Sequence, residues 1–295
     1  MKNVKAKTNE QIAMQVSANS IAVNLMLSIF KLIAGLLASS GAMISDAIHS
    51  ASDVFSTIIV IIGVKISGKA SDEDHPYGHD RFECVASIIL AILLGVTGVG
   101  IGLTGVQKLM AGHYDTLAVP GMLALAAAVI SIVVKEIMYW YTRNAAKKIN
   151  SGALMADAWH HRSDALSSVG SFVGIFGARM GFPMLDPLAS VVICLFVVKA
   201  AVDIFRDAIS KMTDKSCDQK TVNEMHDCIM NIQGVERIDL LKTRSFGSKY
   251  YVDIEISADG NKKLWETHAI AENVHQAIEH QFPLVKHCMV HVNPA

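Results

Sequence analysis

The chain has 295 residues, of which 52% are hydrophobic and only 18% charged, with mean hydropathy +0.37 and net charge −1. A soluble domain carries roughly 25% charge, and the shortfall is uneven: residues 15–210 hold nearly all the long apolar runs, while 211–295 read as an ordinary soluble domain. The near-zero charge excludes a general binder of nucleic acid or anionic surfaces. Five scattered cysteines (Cys84, Cys194, Cys217, Cys228, Cys288), never spaced as CxxC, fit reduced thiols rather than a disulfide framework.

Residues 1–14 form a polar, basic segment with no small-residue cleavage site close behind it, so the first apolar stretch reads as a retained helix. A bilayer-spanning helix needs about 20 mostly apolar residues. Six stretches qualify: 15–38, 42–66, 84–107, 117–141, 155–178 and 187–209, which together make a transmembrane domain over 15–212. Glycines recur inside them (Gly95, Gly98, Gly100, Gly102; Gly170, Gly174, Gly177), as close helix packing in lipid requires. Lys and Arg concentrate at the N-terminus, in the second-to-third and fourth-to-fifth connections and after the sixth span, whereas the opposite connections carry few. Positive residues stay on the cytoplasmic side, so both termini are expected there. The remainder, 213–295, alternates as helix 220–230, strands 235–243 and 250–257, amphipathic helix 264–281 and strand 285–292. That α-β-β-α-β order predicts a small two-layer α/β domain, whose thin core would gain from dimerisation.

Ionisable groups at bilayer depth cost roughly 2.5–3.5 kcal/mol each on insertion scales, so they are functional candidates by default. The second span reads Asp46-Ala-Ile-His49-Ser-Ala-Ser-Asp53 and the fifth Asp157-Ala-Trp-His160-His161-Arg-Ser-Asp164. Both are D-x-x-H-x-x-x-D, and steps of three and four place each set on one helix face. The two spans run in opposite directions, so antiparallel packing sets His49 beside Asp164 and Asp53 beside His160 near the midplane. Two imidazoles and two carboxylates suit tetrahedral Zn²⁺. Asp46 and Asp157 lie one turn from the histidines, as supporting partners, access-path charges or helix-end polar residues. Lys31, Lys135, Glu136, Lys199 and Asp203 are further charges within or near the spans. Snorkelling accounts for most of them, Lys31 least easily. In the second-to-third connection, Asp72, His75 and His79 surround a Pro76/Gly78 turn, either as a second metal site or as a solvated acidic loop. In the tail, His268 and His291 with Asp239 and Glu255 on neighbouring elements form a third candidate set, among other tail histidines (His226, His275, His280, His287).

These features resemble the cation diffusion facilitator family over nearly the whole chain. The resemblance rests on six spans, the HPYGHDRFE loop at 75–83, the LDP at 185–187 and the α-β-β-α-β tail of metallochaperone or ferredoxin-like type. It implies a homodimer, Y-shaped and joined through its cytoplasmic domains, that exchanges a cytoplasmic divalent cation for protons. The family's transport quartet falls on His49, Asp53, His160 and Asp164, similar to that of zinc-preferring members, whereas manganese members tend to replace histidine by Asp or Asn. The family's loop site falls on Asp72, His75 and His79. Its tail sites use several histidines, where this chain has Asp239 and Glu255, and Asn293 stands where an aspartate often helps.

The expectation is therefore a non-enzymatic Zn²⁺/H⁺ antiporter in a bacterial inner or plasma membrane, with lipid, metal ions and protons as partners and no nucleic acid. It has no permanent cofactor; the divalent metal is cargo and, through the tail, a regulator. Metal binding needs deprotonated ligands and imidazole titrates near pH 6.5, so protons can compete for the same histidines and release the metal. Fe²⁺, Mn²⁺, Cd²⁺ or Co²⁺ are rival substrates, because N₂O₂ ligation favours zinc without excluding them. A membrane-embedded zinc hydrolase would need an open coordination position and a general base, and no HExxH occurs. A channel would pass ions without proton counterflow.

Overall fold

The computed structural model describes residues 8–37, 41–111, 122–180 and 184–295, with some side chains inside the helices, Asp46 and His49 among them, outside the described set. Its first compact unit, Met1–Ala208, is helical. Helices α1 (Asn9–Leu37), α2 (Gly41–Ser67), α3 (Phe82–Ala111), α4 (Met122–Ile149), α5 (Gly152–Arg179) and α6 (Leu185–Met212) follow in chain order. Each reaches past at least one end of the apolar stretch that announced it. Thr8 and Gln11 cap α1 reciprocally, Thr8 Oγ1 accepting the Gln11 N–H and Gln11 Oε1 the Thr8 N–H, both at 3.2 Å. This capping box starts the helix at Asn9, well before the apolar run. At the other extreme α4 continues from 141 to Ile149, and Lys147 and Lys148 in its last turn complement the helix dipole. Apolar composition reports where lipid contact ends; hydrogen bonding and capping decide where the helix ends.

Inside this unit, Val16, Val60, Leu90, Leu94, Leu154 and Val197 form one buried cluster with small residues between them. α3 and α6 approach so closely that a Cβ at Gly102 would run into Cys194 Sγ, and one at Gly98 would lie 2.8 Å from Val197 Cγ1. Gly100, by contrast, faces open space, so the glycine-rich stretch is not uniformly an interface. The outer surface is apolar: Ile29, Leu36, Phe55, Ile62, Ile92, Val96, Leu103, Leu195 and Phe196 are exposed. Soluble monomers rarely present so continuous an apolar exterior, whereas lipid is the solvent that suits it. Among the described residues, Asn9–Ala34 and Phe82–Ala111 are long and apolar enough to cross a bilayer on composition alone.

The second unit, Ile209–Ala295, holds α7 (Gln219–Met230), β1 (Arg237–Phe246), β2 (Lys249–Ala258), α8 (Leu264–Gln281) and β3 (Val285–Pro294). The sheet order is β1-β2-β3, with β1 and β2 an antiparallel hairpin and β2 and β3 parallel, α8 making the crossover. Val252, Ile254 and Ile256 alternate onto one sheet face and pack against Met225 and Ile229 of α7 and Ile270, Val274 and Ile278 of α8. Asp218 caps α7 by accepting the Thr221 N–H at 3.0 Å. The tail is thus the expected two-layer α/β fold.

Candidate metal centre

Two contacts fix how α2 meets α5. His160 Nε2 lies 3.4 Å from Asp53 Oδ1, and Thr57 Oγ1 donates to Asp157 Oδ1 at 3.2 Å. Moving four residues forward on α2 therefore moves three residues back on α5, which is an antiparallel register. Asp53, His160 and Asp164 offer ligand atoms that all lie within 4.8 Å of one another. Asp53 and Asp164 are buried, so each charge needs a partner at close range. His49 lies on α2 one turn before Asp53, and its side chain is outside the described residues, as is that of Asp46.

Asp157 is fully buried and takes different partners: Thr57, and His161, whose Nε2 lies 3.5 Å from Asp157 Oδ2. It stands beside the cluster, one turn along α5, and is not a member of it.

The carboxylate pair has a third participant that sequence reasoning set aside. Lys135 of α4 is 1% exposed, and its Nζ donates to Asp53 Oδ2 at 2.5 Å and to Asp164 Oδ2 at 2.9 Å. Snorkelling does not describe this residue. Its place in the sequence did not reveal this: Lys135 lies six residues before the end of the apolar stretch at 141, about 9 Å at 1.5 Å per residue, a depth from which a lysine stem can snorkel. Of the other flagged charges, Lys199 and Asp203 are exposed, which fits snorkelling. Glu136 accepts from Trp140 Nε1 at 2.9 Å and faces Arg162 at 3.6 Å. Lys31 is buried and donates to Ser50 Oγ at 2.8 Å.

The loop between α2 and α3 gathers Asp72, His75 and His79, whose ligand atoms also lie within 4.8 Å of one another. Asp72 Oδ1 accepts the His75 N–H three residues on at 2.7 Å, which tightens the loop, and Gly78 at φ +91° lets the chain double back. The His75 N–H on the carboxylate is the main reason that Asp72 titrates below the usual aspartate range. His79 Nδ1 lies 3.2 Å from the Ala70 carbonyl oxygen, while Nε2 faces Asp72 Oδ2 at 3.4 Å. A carbonyl on one ring nitrogen holds the other in the tautomer a metal needs.

The tail set is not assembled within one protomer. Glu255 of β2 is the register partner of His291 of β3, but Glu255 alternates away from the face that α8 covers, while His268 is exposed on α8. Asp239 is already engaged: Oδ1 accepts from Arg237 Nε at 2.6 Å, and Oδ2 from Ser257 Oγ at 2.6 Å and Asn293 Nδ2 at 3.0 Å. These bonds hold the Asp239 carboxyl down to about 2. No three of the four predicted residues bring ligand atoms within 4.8 Å. Sequence proximity of elements suggested a cluster; sheet register and the division between helix layer and open face separate it.

Comparison with known proteins agrees with this architecture. The cation efflux transmembrane domain matches residues 17–213, and the cytoplasmic domain of cation efflux proteins, the part through which such proteins dimerise, matches 217–295. The chain is 33% identical to the manganese efflux system protein MneP of Bacillus subtilis, covering 98% of both chains. It is 37% identical to the uncharacterized transporter MJ0449 of Methanocaldococcus jannaschii over 93% of this chain and 95% of that protein. Among solved structures, the one titled MamM-CTD 215-293 is 20% identical and covers 26% of this chain and 100% of its own, with TM-score 0.26. With both domains matched and relatives aligned from end to end, the chain belongs to the cation efflux, or cation diffusion facilitator, family of membrane-integral metal-cation transporters.

Proposed function

We propose that this chain exports Zn²⁺ from the cytoplasm in exchange for protons, using His49, Asp53, His160 and Asp164 as one alternating-access transport site. The observation that carries this reading is the convergence of Asp53, His160 and Asp164 on an antiparallel pair of helices. His49, one turn before Asp53, is assigned as the fourth ligand from its place on α2. Two imidazole nitrogens and two carboxylate oxygens make a tetrahedral N₂O₂ set, and two carboxylates balance the charge of a dication.

Each ligand must be deprotonated to bind metal. Facing the cytoplasm, the quartet takes up metal; facing outward, protons displace it and return on the same residues. One set of ligands thereby couples two opposite fluxes. Asp157, held by Thr57 and His161, and Asp46 at the other end of the stripe serve as charges along the access path. The protein sits in a plasma membrane with both termini cytoplasmic, its transmembrane domain spanning 15–212 and its tail spanning 213–295. It forms a homodimer through the tail, and metal at the loop site of Asp72, His75 and His79 biases the protomer pair toward one state.

A second reading has manganese as the cargo. The relative named a manganese efflux system favours it; the two histidines in the proposed quartet favour zinc. Uptake of Zn²⁺, Mn²⁺, Fe²⁺ and Cd²⁺ into proteoliposomes under an imposed pH gradient separates the two. The zinc reading expects pH-driven Zn²⁺ uptake with proton counterflow, abolished by His160→Ala. Manganese uptake exceeding zinc would replace it, and uptake without proton movement would reject antiport.

A further inference from the structure

The proposed transport site contains a cation of its own. Lys135 Nζ bonds one oxygen from each of the two carboxylates that a metal would need. It reaches them from a third helix, α4, across 82 positions to Asp53 and 29 to Asp164. Lys135 and Asp53 are almost completely buried and Asp164 nearly so, so neither water nor counter-ions can share the work of neutralisation. Asp53 divides its oxygens, Oδ2 toward Lys135 and Oδ1 toward His160.

From this geometry we infer that Lys135 is a tethered counter-cation that competes with the transported metal for Asp53 and Asp164. The inference rests on the transport-site reading above and adds a residue to it. Charge counting gives the reason for competition. With neutral histidines, two carboxylates and one ammonium leave the site at −1. A dication added without moving the lysine would make the site net positive, with two cations against the same two buried carboxylates. The ammonium must therefore leave as the metal arrives, and its flexible four-carbon stem allows it to swing without moving α4. When the metal departs, the lysine closes on the carboxylates again and no bare pair of buried charges is left. Such a residue weakens metal binding on purpose: a transporter must release its cargo, and two unopposed carboxylates would hold a dication too long. An arginine would keep the charge, yet its broader planar fork suits a fixed bidentate pair better than a rapidly exchanging one.

The test is zinc binding to full-length protein in detergent at fixed pH, in a background where Asp72→Ala and His75→Ala remove the loop cluster. Lys135→Met keeps the length of the side chain and removes the charge; it is expected to tighten zinc affinity tenfold or more and to slow turnover in proteoliposomes, lowering KM and kcat together. Lys135→Arg is expected to retain the weaker affinity. Asp164→Asn is the control for the site itself: if it binds zinc like the parent, the transport-site reading fails, whatever the lysine does. If Asp164→Asn loses binding while Lys135→Met binds no tighter than the parent, the site stands and the competition idea is overturned. Because Lys135→Met leaves two buried carboxylates unopposed, it can fail to fold, and a second measurement on the unaltered chain covers that case. A structure determined with zinc at saturating concentration is expected to show Lys135 Nζ beyond hydrogen-bonding reach of both carboxylates; Nζ still bonded to both beside the bound metal would refute the proposal.

Discussion

Replacing Asp164 by asparagine alters one atom in the cluster and removes one unit of charge, so its effect can be worked from the contacts. A carboxylate and a unit cation about 4 Å apart attract by about 4 kcal/mol at an effective dielectric near 20. A dication therefore loses about 8 kcal/mol of attraction when Asp164 is neutralised. The competing ammonium of Lys135, 2.9 Å from Asp164 Oδ2, loses about half as much, so the metal is disadvantaged by about 4 kcal/mol relative to the lysine. The amide oxygen of asparagine recovers part of this. A remaining deficit of about 3 kcal/mol corresponds to roughly 100-fold weaker binding. The assay is zinc-dependent uptake into proteoliposomes at a fixed pH gradient, with KM read against kcat, alongside direct zinc titration. Binding and uptake within threefold of the parent protein would refute both the ligand assignment and the electrostatic reasoning.

Two further predictions concern the tail. Burial, with Glu279 and Asp253 adding to it, pushes the Cys288 thiol up to about 12, and the residue is 1% exposed; maleimide at pH 7.5 is expected to modify it only after denaturation, as read by mass spectrometry, and rapid labelling of the folded chain would contradict the packing. Asp239 titrates near 2 when folded and near 3.9 when unfolded, so its carboxylate stabilises the tail above the unfolded value, and that contribution fades as pH falls from about 4 through about 2. Denaturant midpoints measured across that window should fall more steeply for the natural tail than for Asp239→Asn, and parallel curves would show that the Ser257, Asn293 and Arg237 bonds do not matter.

Much of this protein is legible one segment at a time. Apolar length marked the helices of the first unit, because lipid contact demands it, although the Thr8–Gln11 cap and the basic last turn of α4 placed their ends elsewhere. Period-two alternation marked the strands of the tail, because one face of that sheet packs on α7 and α8. The loop cluster was equally readable, since Asp72, His75 and His79 are joined by a turn within eight residues. The stripes on α2 and α5 followed from the helical repeat.

What a repeat reports, however, is the face on which a residue lies, never the neighbour that face will meet. Lys135 looked like one charge in an apolar run, and only the packing of α4 on α5, and of α5 on α2, makes it the bridge between Asp53 and Asp164. The tail histidines looked like a cluster for the converse reason: their elements adjoin in the fold, but Asp239, where the β1–β2 register shifts, is held by side-chain bonds from Asn293 and Ser257, and the sheet stands between Glu255 and the exposed His268. Sequence by itself determined which residues carry charge into the membrane and on which helix faces they lie, because composition and periodicity are local. Tertiary structure alone decided which of those charges neutralise one another, because that depends on distances of a few ångströms between segments far apart in the chain.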